Sequence, residues 1–385
     1  MKTLIELFDK RPISNVLGTE MFRPAKTIFL CEKEIAENRA LQQKLRAYFK
    51  NRGINTQIQF RETATLNAAS VKRALENVVE QNPDCVLDIS GGSDAALFAG
   101  GLLCARQPLP VFTYSRKRNT FYDIQNAGFA HKLPCDVCLS VEDCFSAAGG
   151  STRQGRVDNR ILERYSPKID DFFALFLKYR LQWQKIISYL QQVSPTPKEG
   201  CPSLLVDAAW QVKGDRGMLT ANENALKDLD ALGFLRDLEL VREERVRFRF
   251  ADEQIRTWLR DVGSVLELYV YQACLRSGSY QDVKTSVIVD WAGSNSRDSV
   301  TNEIDVVAVR GIRPTFISCK VCEIRTEALN ELAILRDRFG GEVSRAIIVS
   351  AECTRTVTRN RALGLGIEVI DLNELDTAQL LARVK

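Results

Sequence analysis

The sequence predicts an α/β protein in three parts, and three patterns predict it. Over the first 150 residues, short apolar β-rich runs alternate with helical stretches. The runs are Leu4–Phe8, Thr27–Cys31, Thr56–Phe60, Cys85–Ile89 and Val111–Tyr114, and the helices are Glu37–Asn51 and Ala68–Glu80. Helices between short strands imply right-handed βαβ crossovers and a parallel sheet. Residues 159–193 then read as helical, and from Asp252 onward strands and helices return in a second α/β pattern.

Each part has its own punctuation. The run Arg116-Lys117-Arg118-Asn119-Thr120 joins the fifth strand to Phe121–Ile124, a hairpin expected at the sheet edge. The small residues Ala147–Thr152 mark a boundary, which sets a first domain at 1–150. Phe172, Phe173, Phe176, Tyr179 and Trp183 offer the helical segment a packing face, and Pro195 and Pro197 are expected to stop it. Asn224–Leu235 followed by the ribbon Leu238–Arg242 and Arg245–Phe250 resembles a small winged-helix module, giving a middle part at 151–251. The third part, 252–385, starts with a helix over Asp252–Leu275. Strands Val283–Asp290, Glu303–Arg310 and Thr315–Cys319 follow, then a helix Thr326–Phe339 and a strand Arg345–Ser350. A last helix and the strand Ile367–Ile370 are expected to finish the fold.

Composition excludes some classes. Hydrophobic residues make up 45% and charged residues 26%, which is globular rather than disordered. No apolar run reaches the ~18–20 residues of a membrane helix, and the quickly acidic N-terminus is no signal peptide, so a soluble cytoplasmic protein without membrane contact is expected. The 11 cysteines include Cys135/Cys138 and Cys319/Cys322, too far apart for a zinc ribbon, and read as reduced thiols. A net charge of +4 does not by itself argue for nucleic-acid binding. His131, the single histidine, is read as structural or surface, and Arg336, Arg338, Arg345, Arg355, Arg359 and Arg361 as either a phosphate-tracking surface or solvated helix faces.

Chemistry concentrates in Glu303-Ile304-Asp305-Val306-Val307-Ala308-Val309-Arg310 and Thr315-Phe316-Ile317-Ser318-Cys319-Lys320. A hairpin turning near Ile312 puts Asp305 opposite Cys319, within one residue, and alternation puts Ser318 and Lys320 on one face. An acid and a lysine inside apolar strands need a partner or a task. Glu267, within Val265–Tyr271, is a further carboxylate in apolar surroundings. Carboxylate oxygens can hold a divalent cation while a lysine stabilises phosphate charge.

This order of Glu267, Asp305 and Lys320 resembles the restriction-endonuclease superfamily with its PD-(D/E)-x-K core, over about residues 252–385. The resemblance implies a metal-dependent endonuclease using Mn²⁺ or Mg²⁺. Glu267, Asp305, Ser318 and Lys320 would be its catalytic residues, and Glu267, Asp305 and the Cys319 backbone carbonyl its metal ligands. Ser318 departs from the pattern, standing where an acid is usual.

The second signal is Asp88-Ile89-Ser90-Gly91-Gly92-Ser93-Asp94, a strand running through glycines into a capped helix. The loop Asp9-Lys10-Arg11-Pro12-Ile13-Ser14-Asn15 leaves strand one toward the crevice where open α/β sheets bind ligands. Together they resemble the CARF domain of CRISPR-associated proteins. The whole chain then resembles an ancillary effector nuclease of type III CRISPR systems: a Rossmann-like CARF domain, a helical, winged-helix-like middle and a restriction-endonuclease-like domain. That resemblance implies a homodimer, a cyclic oligoadenylate activator such as cyclic tetra-adenylate, and a DNA and/or RNA substrate. The nucleotide-binding residues would be Arg11, Pro12, Ile13, Ser14, Asn15, Ser90, Gly91, Gly92, Ser93 and Asp94. Two alternatives are a ligand-controlled winged-helix transcription factor with an inactive C-terminal domain, and a ring nuclease that degrades the cyclic nucleotide.

Overall fold

The computed structural model describes residues 2–155, 157, 159–194, 204–215, 217–293, 299–372 and 377–384. Its N-terminal sheet is built from β1 (Thr3–Leu7), β2 (Lys26–Cys31), β3 (Gln57–Glu62), β4 (Cys85–Asp88), β5 (Val111–Ser115), β6 (Thr120–Gln125) and β7 (Leu133–Pro134). Their order is β3-β2-β1-β4-β5-β6-β7. The first five pair in parallel, and β6 and β7 add antiparallel at the edge, as the hairpin reading expects. Helices α1 (Leu17–Phe22), α2 (Lys33–Glu37), α3 (Arg39–Asn51), α4 (Ala68–Gln81) and α5 (Asp94–Cys104) make the crossovers. The helix expected over Glu37–Asn51 is α3, which starts two residues later because the Asn38 side chain accepts from Leu41 N and separates it from α2. Strand order reverses between β1 and β4, so the loops leaving these strands flank the ligand crevice of this architecture.

The middle begins with α6 (Val141–Ala147) and β8 (Ser151–Gln154), followed by α7 (Asn159–Tyr165), α8 (Ile169–Lys178) and α9 (Trp183–Val193). Pro195 and Pro197 lie outside the described residues. The aromatic residues of this stretch, with Phe172, Phe176 and Trp183 at 2% exposure or less, are core. A three-stranded sheet of β9 (Leu205–Ala209), β12 (Leu235–Val241) and β13 (Arg245–Phe250) backs α10 (Glu223–Ala231), with the ribbon β10 (Gln211–Gly214) and β11 (Gly217–Thr220) beside it. This is the winged-helix-like arrangement.

The C-terminal region opens with α11 (Glu253–Trp258) and α12 (Ser264–Arg276), not one helix over Asp252–Leu275. Asp261 Oδ2 accepts from Gly263 N and Ser264 N, and that local cap breaks the helix. Then follow β14 (Asp282–Asp290), β15 (Thr301–Arg310), β16 (Arg313–Lys320), α13 (Thr326–Phe339), β17 (Arg345–Ser350), α14 (Thr356–Gly364), β18 (Glu368–Asp371) and α15 (Thr377–Arg383). The strand expected over Ile367–Ile370 is β18, and α15 follows it; Leu380 of this helix, and Val384 just beyond it, are completely buried. The sheet order is β18-β17-β16-β15-β14-β8, so residues 151–154 complete this sheet by pairing antiparallel with β14.

Both faces of that sheet are covered. Val306, Ala308, Ile317, Cys319, Ile347 and Val349 belong to the core closed by α12, on which α8 packs in turn, while Val307, Val309, Phe316, Ala346 and Ile348 pack with α13 and with Val141 and Phe145 of α6. The two-residue period of the strands therefore assigns successive side chains to two different cores. No helix among the described residues is long and apolar enough to cross a membrane.

One polar pair is buried in the N-terminal sheet. Glu6 on β1 faces Asp88 on β4 in register, at 2% and 1% exposure. Glu6 Oε1 and Asp88 Oδ2 have no hydrogen-bond partner. Gly18 of α1 sits against them, where a Cβ would come within 2.5 Å of Asp88 Oδ2 and 2.7 Å of Glu6 Oε1. Burial, reinforced by the Asp88 charge, raises Glu6 well above the usual carboxylate range. Burial also pushes Asp88 up to about 7, against its bonds from Ser90 and Glu6. Because the folded value exceeds the unfolded one, the stability linked to the Asp88 proton is full below about pH 4 and is lost as pH rises through about 7. Asp88→Asn should therefore gain on the wild type, by on the order of 3 kcal/mol, between about pH 5 and pH 8. Chemical denaturation of both proteins across that range checks this, and a pH-independent difference would contradict it.

Candidate functional site

The β15–β16 hairpin turns through Gly311 and Ile312, with Arg310 opposite Arg313 and Val306 opposite Ile317. Continuing the register sets Asp305 against Ser318, one residue from the expected Cys319 and within the stated allowance. Asp305 Oδ2 accepts from Cys319 N at 2.6 Å and from Ser318 Oγ at 3.2 Å, and lies 3.6 Å from Lys320 Nζ. The backbone amide and the hydroxyl thus aim the carboxylate, and the ammonium supplies its counter-charge. On the other side, β14 places Ser286 where the ladder would pair with Asp305, and the ladder is interrupted there. Ser286 takes φ 52, a conformation that L residues rarely adopt, which is local strain at the site.

Asp305, Ser318 and Lys320 open into a cavity of about 50 Å³, roofed by Ala328, Glu331, Leu332 and Leu335 of α13. Glu303 lines the same cavity, two residues before Asp305 on the same strand face, and accepts from Ser286 Oγ at 2.5 Å. Sequence reasoning passed over Glu303. The two-residue spacing was the signal that could have found it.

Electrostatics bind the groups together. Burial, then the charges of Asp305, Asp261 and Glu303, raises Glu267 well above the usual carboxylate range, with Lys320 opposing. Burial raises Asp305, while Lys320, the Cys319 amide and Ser318 pull it back. Burial alone would lower Lys320, but the charges of Asp305, the Cys319 thiol and Glu267 outweigh it, so its proton is held more tightly than usual. Glu267 itself stands on the first turn of α12 and is not among the cavity walls.

Among the described residues, no three His, Cys, Asp or Glu side chains are gathered as a metal cluster. The donors near Lys320 are nevertheless oxygens of mutually repelling, buried carboxylates. A hard divalent cation fits that donor chemistry and would relieve the repulsion.

In the N-terminal sheet the loops that follow β1 and β4 are interlocked. Asp9 accepts from Arg11 Nε and Nη2 at 2.9 and 2.6 Å, and from Gly92 N at 2.9 Å. Asn15 is buried and clasps the Asp9 backbone through both ends of its amide. Ser14, also buried, accepts from Arg116 Nη2, and Ser90 Oγ accepts from Tyr114 N. Pro12 and Ile13 line a small cavity shared with Ile312, Pro314 and Phe339. Ser93 caps α5, and Asp94 is exposed. Gly91 and Gly92 serve the fold itself: a Cβ would meet Asp9 Cβ at 2.9 Å from Gly91 and Leu7 Cβ at 2.7 Å from Gly92, whose φ is 98. Asp88 lies buried beneath this loop.

The remaining sequence signals resolve as packing. Cys135 and Cys319 are buried free thiols, and Cys138 and Cys322 exposed ones. His131 is exposed. Arg336 donates to the carbonyls of Leu365 and Gly366, Arg345 pairs with Glu368, Arg355 with Glu323 and Arg359 with Asp371.

Residues 252–382 match the family model described as Card1-like, endonuclease domain. A search of curated proteins finds no match. Among solved structures, protein VC1899 from Vibrio cholerae is similar over 100% of this chain and 97% of its own, with a TM-score of 0.76 at 18% identity. Can2 from Sulfobacillus thermosulfidooxidans, solved in complex with cyclic tetra-adenylate, is similar over the same shares with a TM-score of 0.72 at 18% identity. Residues 252–382 thus match a Card1-like endonuclease domain, set behind a Rossmann-like N-terminal domain and a winged-helix-like middle, in a fold similar to those of VC1899 and Can2.

Proposed function

We propose that the chain is a metal-dependent endonuclease of type III CRISPR defence, switched on when a cyclic oligoadenylate bridges the sensor domains of a homodimer. The observation that carries the reading is the Asp305–Lys320 pair beneath α13, inside the endonuclease match. The ligand in the Can2 complex supports cyclic tetra-adenylate as the activator.

The residues divide the work of phosphodiester hydrolysis on DNA and/or RNA. Asp305, Glu267 and the Cys319 carbonyl would hold Mn²⁺ or Mg²⁺, which when bound supplies an acidified water and neutralises phosphate charge. Lys320 remains protonated and offers its ammonium to a non-bridging phosphate oxygen. Asp305 fixes the position of that ammonium, and Cys319 N and Ser318 Oγ fix Asp305. The transcription-factor alternative gains no support from α10. Lys227 there is paired with Glu223, and Asp228 with Lys178, so the helix face has no free cationic surface for phosphate. The arginines of β13 are likewise matched by Asp207, Glu239 and Asp237.

Three measurements test the proposal. Purified protein should cleave nucleic acid with Mn²⁺ or Mg²⁺ only when a cyclic oligoadenylate is added, and a panel of ring sizes read on gels would show which. Cleavage that no activator enhances would remove the switch and leave the nuclease. Asp305→Ala and Lys320→Ala should each lower cleavage by about 100-fold or more, with activator affinity by calorimetry unchanged. Full activity in either variant, with melting temperature unaltered, would remove the site. Ser318→Ala should retain substantial Mn²⁺-dependent activity, because the hydroxyl only supports Asp305, whereas Glu267→Gln should lose most of it. The reverse ranking would transfer the metal shell to the serine.

A further inference from the structure

Arg116 was not singled out by the sequence, yet it stands where the two sensor loops meet the nuclease domain. It leaves the sheet at the β5–β6 turn. Its Nη2 donates to Ser14 Oγ of the first loop at 2.7 Å and to Ser90 O of the second at 3.1 Å. Its backbone carbonyl accepts from Arg313 Nη2 at 2.5 Å, and Arg313 begins β16, the strand that carries Ser318 and Lys320. Arg11, already committed to Asp9, lies close enough for its charge to count: burial, and then Arg11, lower the proton affinity of Arg116. Two guanidinium groups are therefore held side by side against their mutual repulsion.

The acid that answers both comes from the other domain. Glu342 Oε2 lies 3.6 Å from Arg116 Nη1 and 4.0 Å from Arg11 Nη1. Glu342 sits in the turn Gly341–Val343 that directly follows α13, the helix roofing the Asp305–Lys320 cavity. Its side chain is 71% exposed, so it can leave the arginines without opening a core. Asp9, by contrast, is 8% exposed and tied to Gly92 N, so it stays.

We propose that Arg11 and Arg116 form a phosphate subsite of the sensor, and that Glu342 occupies it as an internal counter-ion until a phosphodiester of the activator displaces it. This rests on the cyclic-oligoadenylate reading of the sensor. Displacement frees the C-terminal end of α13 from the sensor loops, which ties occupancy of the crevice to the roof of the nuclease cavity. A ligand shifts such an equilibrium only through its differential affinity for the two states, so the competing acid must lower apparent affinity when present.

The test is calorimetric titration of cyclic tetra-adenylate into the full chain and three variants. Glu342→Gln removes the competitor and should tighten binding by roughly 1.4- to 5-fold, the range of an exposed ion pair. Arg116→Ala should weaken binding by about 10-fold or more, a charge-assisted contact being lost. Glu80→Gln, an exposed acid on α4, controls for net charge and should change nothing. Binding by Glu342→Gln equal to or weaker than wild type overturns the proposal even if the wild type binds well. Normal binding by Arg116→Ala overturns it as well. A wild type that binds no cyclic oligoadenylate removes the sensor reading, and this subsite with it, a result distinct from the other two.

Discussion

The C-terminal sheet is buried on both faces, and the rest of the molecule is arranged to meet that demand. A mixed sheet whose alternate residues are all apolar cannot leave either side to water. On one side α12 provides the cover, backed by α8, and on the other α13 together with α6, which leads out of the N-terminal domain. Three stretches that look separate in sequence are joined by this requirement. Phe145 of α6 touches Phe316 and Phe339 with ring centroids 5.9 and 5.0 Å apart, so the sensor is packed onto the nuclease rather than strung beside it.

Polar groups survive in these cores only where something answers them. Asp305 is enclosed, but an amide, a hydroxyl and an ammonium converge on it. Such a group can be kept charged and aimed, which phosphodiester chemistry needs. Glu6 and Asp88 show the other outcome: two acids face each other with no cation, and burial drives them toward the neutral form. The same residue types end in different settings because of what lies opposite them: Lys320 and two donors counter the burial of Asp305, and no cation counters that of Glu6 and Asp88.

Much of this was legible in the sequence. Period-two apolar runs mark the strands, and the charges that interrupt apolar stretches, Asp305 and Lys320 on strands and Glu267 on α12, are the ones the fold sets within electrostatic reach of one another. The hairpin register came out within one residue because its turn is short and its strands are regular. Local capping was harder to see: Asp261 divides a stretch of continuous helical periodicity, and only its side-chain bonds reveal the break. The loops after β1 and β4 are tied together more closely than their polar sequences suggest. Asn15 and Ser14 turn inward because Asp9 and Arg116, distant or unremarkable in sequence, are waiting for them. Arg116 and Glu342 could not have been paired by reading, since 226 positions of chain separate numbers that only the fold brings together.

The strand β8 has a wider meaning. Four residues that follow the sensor in sequence form the outer rung of the nuclease sheet, beyond β14. The nuclease is therefore assembled from two discontinuous pieces of chain, with about 100 residues of helix and ribbon looped out between them. A fragment beginning at α11 would leave β14 as an open edge, its amides and carbonyls available to another chain. It also means that the N-terminal domain is fastened to the C-terminal sheet by backbone hydrogen bonds, not by a slack tether. Any displacement of that domain is felt first at β14, next to Ser286 and hence one strand from Asp305.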